Sequence, residues 1–283
     1  MDSTGTRPAR PGPTQRVRVV DVRADQRSAR EDRLAAEEPL EIRLAWPAAP
    51  PRRLAVTMRT PGRDFDLAAG FVLGEGLAHA DQIHTVAYCT DTALPPDQDF
   101  NVVTVELGAP PTRPLPERQS AVSSACGVCG KDSLAAVTEF GGSTVVSDLQ
   151  VPSESVRALP DLLRAQQRLF ERTGGLHAAG LFEPDTRAVL VREDVGRHNA
   201  VDKLVGACAL QRLPTRDRML CTSGRAGFEI VQKAVLAQIP VVVAVGAPSS
   251  LAVACAQEFD VTLTGFTRAD RCVVYAGGSR IGV

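Results

Sequence analysis

Apolar and polar residues alternate over Val17 to Val22, Leu40 to Leu44, Leu54 to Arg59 and Val102 to Leu107, which predicts half-buried β-strands. One helix interrupts them, because apolar residues recur at helical spacing from Asp66 to Leu73. Pro110, Pro111, Pro114 and Pro116 then make a stiff connector. A Ser- and Gly-rich loop runs from Ser120 to Gly130. After it the pattern predicts a short helix from Asp132 to Phe140 and a longer one from Ser153 to Arg172, with Leu159, Leu162, Leu163, Gln166 and Leu169 along one face.

Beyond that helix short apolar runs alternate with helical segments. Strands are expected at Ala188 to Arg192, Arg218 to Thr222, Val241 to Val245, Val261 to Thr264 and Cys272 to Tyr275. Helices are expected at Asn199 to Leu210, Gly227 to Gln238 and Ser250 to Gln257. This order predicts an α/β fold with a largely parallel sheet covered on both sides. The chain then divides into a disordered tail over 1–16, a smaller β-rich N-terminal domain over 17–115, a mobile loop and connector over 116–150, and an α/β ligand-binding domain over 151–283.

Ligands of open α/β sheets bind outside the carboxyl ends of the strands. Four loops fall there: Glu193 to His198, Ser223 to Gly227, Gly246 to Ser250, and Gly265 to Arg271. All are small or polar, and three carry arginine. Glycine allows close backbone approach, and arginine grips phosphate bidentately, so four such loops on one edge suit a large phosphorylated ligand. His177 and His198 are candidate acid–base groups, against the plainer reading of histidines that order a loop. Asp194 and Arg197 are expected to order theirs by pairing, and Ser223 and Ser249 to cap helices.

Charge changes the picture little. With 32 basic and 33 acidic side chains the net charge is −1, so no global basic field argues for nucleic acid. No apolar run approaches a membrane span and no export signal is legible. The seven cysteines are an odd number in a long chain, which argues against a disulfide framework and for the reducing cytoplasm. Cys208, Cys221, Cys255 and Cys272 lie in apolar stretches and read as small buried hydrophobes.

Cys126-Gly127-Val128-Cys129 is different. Structural zinc would need more ligands than this pair, and His79, His84, His177 and His198 are scattered. A thioredoxin-like dithiol would need a preceding strand, where Pro116 to Ala125 offers none. A sulfur-handling thiolate needs an accessible, flexible loop with positive charge nearby. Gly127, Gly130, Ser123, Ser124 and Lys131 supply these. Deaminase zinc chemistry needs a histidine–glutamate motif before the pair, whereas here His177 follows it and Ala179 stands where the glutamate belongs.

The chain resembles the FdhD family of sulfur carriers required for formate dehydrogenase activity. The resemblance rests on Ser124 to Gly130, Thr173 to Ala179, Glu193 to Leu204, Thr222 to Arg225, Phe228 to Lys233, Ala247 to Ala252 and Gly265 to Arg268. It implies a three-layer α/β/α sandwich similar to the cytidine-deaminase scaffold, and a homodimer. It also implies a sulfurtransferase that takes persulfide sulfur from a cysteine desulfurase onto Cys126, with Cys129 beside it. The sulfur passes to the molybdenum of bis-molybdopterin guanine dinucleotide, bound as substrate, before insertion into the formate dehydrogenase catalytic subunit. The family's cofactor-binding stretch falls on Phe266, Thr267, Arg268, Ala269, Asp270 and Arg271; Asp270 stands where many relatives carry glycine. Two rival readings are a cofactor escort without sulfur transfer and a dithiol redox protein.

Overall fold

A computed structural model describes residues 10–89, 100–115, 121–122 and 134–282. The chain opens with a two-stranded antiparallel ribbon, β1 (Thr14–Arg23) and β2 (Gln26–Ala35). β1 thus starts before the strand expected from Val17. β3 (Glu38–Trp46) and β4 (Ala49–Arg59) form a hairpin, and α1 (Asp64–Gly74) follows. β5 (Ile83–Tyr88), β6 (Val102–Leu107) and β7 (Ala121–Val122) complete a five-stranded sheet of order β5-β6-β3-β4-β7. Leu40, Ile42 and Leu44 alternate inward and pack with Val103, Val105, Leu67, Ala68 and Val72, so α1 closes the buried face of this sheet.

The next helix is α2 (Leu134–Glu139), then β8 (Val151–Pro152), which pairs with the C-terminal β15 (Ile281–Gly282). The single helix expected over 153–172 is two, α3 (Ser153–Arg164) and α4 (Arg168–Thr173). The break falls at Ala165 to Gln167, where the last backbone bonds tighten and Gln167 leaves helical geometry at φ −80°, ψ 70°. A tertiary contact fixes the restart, since the Glu193 carboxylate accepts from the backbone N–H groups of Leu169 (3.0 Å) and Phe170 (2.8 Å). No local pattern could announce it.

The remaining elements are β9 (His177–Phe182), β10 (Ala188–Asp194), α5 (Arg197–Leu210), β11 (Met219–Thr222), α6 (Phe228–Leu236), β12 (Val241–Ala244), α7 (Ser250–Glu258), β13 (Thr262–Arg268) and β14 (Arg271–Ala276). Their sheet has the order β10-β9-β11-β12-β13-β14. It is mixed rather than largely parallel: β11, β12 and β13 are parallel, while β9 runs against both β10 and β11 and β14 runs against β13. β9 escaped the sequence reading because Ala178, Ala179 and Gly180 carry little strand propensity. Pairing on both sides makes it a strand.

Both faces are buried, as the continuous apolar runs required. Leu220, Val242 and Ala244 pack with α5, α6 and α7, while Met219, Cys221, Val241 and Val243 pack with Val156, Leu159 and Leu163 of α3. The two sheets meet through α1 and α5. A Cβ on Gly70 would land on the Asp202 carbonyl oxygen and one on Gly206 on the Asp66 carbonyl oxygen, so these helices touch backbone to backbone. No helix among the described residues is long and apolar enough to cross a membrane.

Candidate functional site

β10 runs with β11, β12 and β13, since both β10 and β11 oppose β9. Four strand ends therefore share one edge, and β9 begins there, with His177 opposite Asp194. The loops beyond the strands are stitched in sheet order. Val245 N–H donates to the Thr222 carbonyl, Gly246 N–H to Gly224, Ser249 N–H to Ala226 and Phe266 N–H to Gly246. These N–H groups are already used, so they do not cradle phosphate.

Three guanidiniums gather there. Arg268 donates to the Val245 and Thr267 carbonyls at 3.0 and 2.9 Å. Among the described residues the buried Nε of Arg197 has no hydrogen-bond partner. Its guanidinium is held below the ordinary range by burial and then by the charge of Arg225. Among the described residues none of the three forms an ion pair with a carboxylate. Arg197 does not pair with Asp194 as expected. Asp194 instead takes Lys203 at 2.6 Å and the N–H groups of Thr60 (3.1 Å) and Gly196 (2.9 Å). It ties the start of α5 to the β4–α1 connection.

Ser223 does not cap α6. Its Oγ accepts from Ala178 N–H at 2.9 Å and lies 3.4 Å from His177 Nδ1. Ser249 does cap α7, accepting from Ala252 N–H at 3.2 Å. His177 is half-buried, and burial followed by the Arg197 charge lowers its pKa. His198 is pushed down to about 3 by burial, then Arg197, Lys233 and His177. Glu229 sits 3.5 Å from its Nδ1. Both imidazoles are therefore neutral near pH 7.

Beside this edge lies a pocket of about 350 Å³, with Leu163, Phe170, Leu176, His177, Ser223 and Arg268 in its wall. Arg164 stacks over the Phe170 ring at 4.4 Å. The α3–α4 wall, with Asp161, Arg164, Gln167 and Phe170, was not legible in the sequence.

The stretch Phe266 to Arg271 is less a loop than a hairpin, for β13 continues to Arg268 and β14 starts at Arg271 opposite it. Phe266 bulges outward at φ +50° and is 39% exposed. Thr267 is turned inward, buried, with its hydroxyl 3.1 Å from that of Thr264. Its side chain is thereby closed to a ligand. The Ala269 carbonyl accepts from Arg157, and Asp270 and Arg271 are exposed. Cys126 and Cys129 lie outside the described residues. Burial raises the pKa of Cys208 to about 11 and of Cys255 to about 12, and pushes the Cys221 and Cys272 thiols up too. Burial therefore favours the thiol over the thiolate at all four. Among the described residues no cluster of three His, Cys, Asp or Glu could hold a metal.

Comparison with known proteins agrees with this architecture. The model of the FdhD/NarQ family matches residues 35–282. The chain is 50% identical over 277 residues to the sulfur carrier protein FdhD of Streptomyces avermitilis, covering 95% of each. It is 47% identical over 274 residues to the protein of the same name from Mycolicibacterium paratuberculosis, covering 95% of this chain and 99% of that one. A crystal structure from Desulfotalea psychrophila, 24% identical, superposes with a TM-score of 0.76 over 95% of this chain and 100% of its own, a likeness of fold. The chain belongs to the FdhD/NarQ family.

Proposed function

We propose that this protein is a sulfur carrier that loads a persulfide on Cys126 and passes the sulfur to a phosphate-bearing molybdenum cofactor held at the strand-end edge. The observation that carries the reading is the set of three arginines, Arg197, Arg225 and Arg268, which have no ion-paired carboxylate among the described residues and of which Arg268 lines a pocket, as suits an anionic ligand. Relatives carrying the name sulfur carrier protein support the cargo. The cofactor is the substrate, bis-molybdopterin guanine dinucleotide. Its sulfurated form goes to the formate dehydrogenase catalytic subunit. Kinship with the cytidine-deaminase scaffold, a homodimeric state and a cytoplasmic site of action belong to the same reading.

Chain geometry supports delivery. Val122 pairs with Thr57, and the Thr57 hydroxyl donates to Asn199 at 3.3 Å in the first turn of α5. Three residues lie between Val122 and Cys126, so covalent geometry keeps their Cα atoms within about 14 Å. The Cys126 thiolate attacks the outer sulfur of a persulfide on a cysteine desulfurase. A new S–S bond forms on Cys126 as the donor's S–S bond breaks, and the donor cysteine leaves as thiolate. Attack by the Cys129 thiolate on the inner sulfur then forms the Cys126–Cys129 disulfide and expels hydrosulfide to the metal; a thiol reductant restores the pair. We assign proton exchange with that sulfur to His177, which lines the pocket.

Intact-mass analysis after incubation with a cysteine desulfurase and cysteine tests this. One added sulfur atom, mapped to the peptide holding Cys126 and absent in Cys126→Ala, is expected. A Cys126→Ala protein that still activates formate dehydrogenase would make it an escort. Equal loss of loading in Cys126→Ala and Cys129→Ala would make it a dithiol redox protein.

A further inference from the structure

The β1–β2 ribbon stands outside both sheets, with β2 resting on α4. Two-stranded ribbons are marginally stable alone, so its exposed surface calls for a cover. The register sets Arg16 opposite Arg33, Arg18 opposite Glu31, Val20 opposite Ala29 and Val22 opposite Arg27, and these eight side chains share one face. Val20 and Val22 are 64% and 60% exposed. Four arginines thus frame an apolar strip with one glutamate among them.

The opposite face is neutralised within itself. Arg23 pairs with Asp21 at 3.2 Å, and Arg30 with Asp32 at 3.1 Å and Asp21 at 3.4 Å. On the outer face Arg16 and Arg33, like charges directly opposed, repel each other. The nearest acid, Glu31, lies 3.9 Å from Arg16 with both side chains at least 70% exposed. Carboxylates from outside would relieve that repulsion, and valines would bury against an apolar centre. Nucleic acid suits the face less well, because it carries no aromatic ring for stacking. A second copy presenting the same face would set arginine against arginine.

We propose that this ribbon face is the docking arm for the protein that donates sulfur, through an acidic surface with an apolar centre. The donor's identity rests on the sulfur-carrier reading above: there the sulfur acceptor is a small molecule in the pocket, and the donor is the protein that must dock first. The ribbon base is close to that pocket, since a Cβ on Gly175, next to Leu176 of its wall, would meet Ala35 Cβ at 3.7 Å.

The test measures the rate of persulfide formation on Cys126 from two sources, a cysteine desulfurase with cysteine and inorganic polysulfide. In the Arg18→Glu/Arg27→Glu variant the desulfurase-dependent rate is expected to fall at least about tenfold and to lose its decline with salt. Polysulfide loading stays unchanged, and Arg18→Lys/Arg27→Lys keeps the desulfurase rate. An unchanged desulfurase rate overturns the arm, as does a parallel loss with polysulfide. A change in oligomeric mass would assign the face to a second copy, and loss of oligonucleotide binding would assign it to nucleic acid; either overturns the proposal. A wild-type protein that loads from neither source overturns the carrier reading and the donor with it.

Discussion

Lys203 Nζ lies 2.6 Å from Asp194 Oδ2, with side chains 2% and 0% exposed, and the same amine donates to the Thr60 carbonyl at 2.8 Å. This pair joins α5, the end of β10 and the β4–α1 connection at one buried point beside the strand-end edge. Replacing Lys203 with Met leaves Asp194 buried without its counter-ion, and breaking such a pair costs about 3–5 kcal/mol. Urea unfolding of Lys203→Met should show that loss.

The contact of α1 with α5 allows no side chain at its closest point. Gly206→Ala drives a methyl into the Asp66 carbonyl, so at least one helix must shift. We expect a loss of about 3 kcal/mol or more. Gly175→Ala, whose methyl would meet only Ala35 Cβ at 3.7 Å, stays within about 0.5 kcal/mol. Thermal melts of the two variants check the contrast.

α4 depends on a cap from far along the chain. Glu193→Ala removes the acceptor for Leu169 and Phe170 N–H, an effect of about 1–2 kcal/mol at a helix start. Hydrogen exchange at those two amides should accelerate, with a smaller effect in Glu193→Gln. Because Phe170 walls the pocket, affinity for guanosine diphosphate should fall in parallel.

Arg268 tests the anion site. Arg268→Ala deletes a guanidinium from the pocket wall, and losing a charged hydrogen bond of about 1.5–3 kcal/mol weakens binding roughly ten- to hundredfold. Titration calorimetry with guanosine diphosphate reads this. Sulfur loading of Cys126 in the same variant should remain.

His198 makes stability depend on pH. Its folded-state pKa is about 3 against an ordinary 6.5, so below pH 6.5 the unfolded chain takes up a proton that the fold refuses. Stability is therefore full above about 6.5 and falls as pH drops toward 3, by about 3 kcal/mol at pH 4. His198→Asn should flatten that slope in acid denaturation.

The sequence by itself determined the elements whose period is strong and whose burial is uniform. Val241 to Ala244 had to be a strand covered on both faces, and Asn199 to Leu210 a helix, because no other arrangement hides so many apolar groups. It also brought the arginine-bearing loops to one edge, since β10 to β13 run the same way whether or not β9 is recognised. Tertiary structure alone decided that β9 is a strand, that Asp194 takes Lys203 rather than Arg197, that Thr267 turns inward, and that Glu193 starts α4. The pairing of β9 with β11 and the Glu193 bonds to α4 join groups more than twenty residues apart, the choices at Asp194 and Thr267 follow from how their segments pack, and contacts of either kind leave no periodic trace in the chain that supplies them.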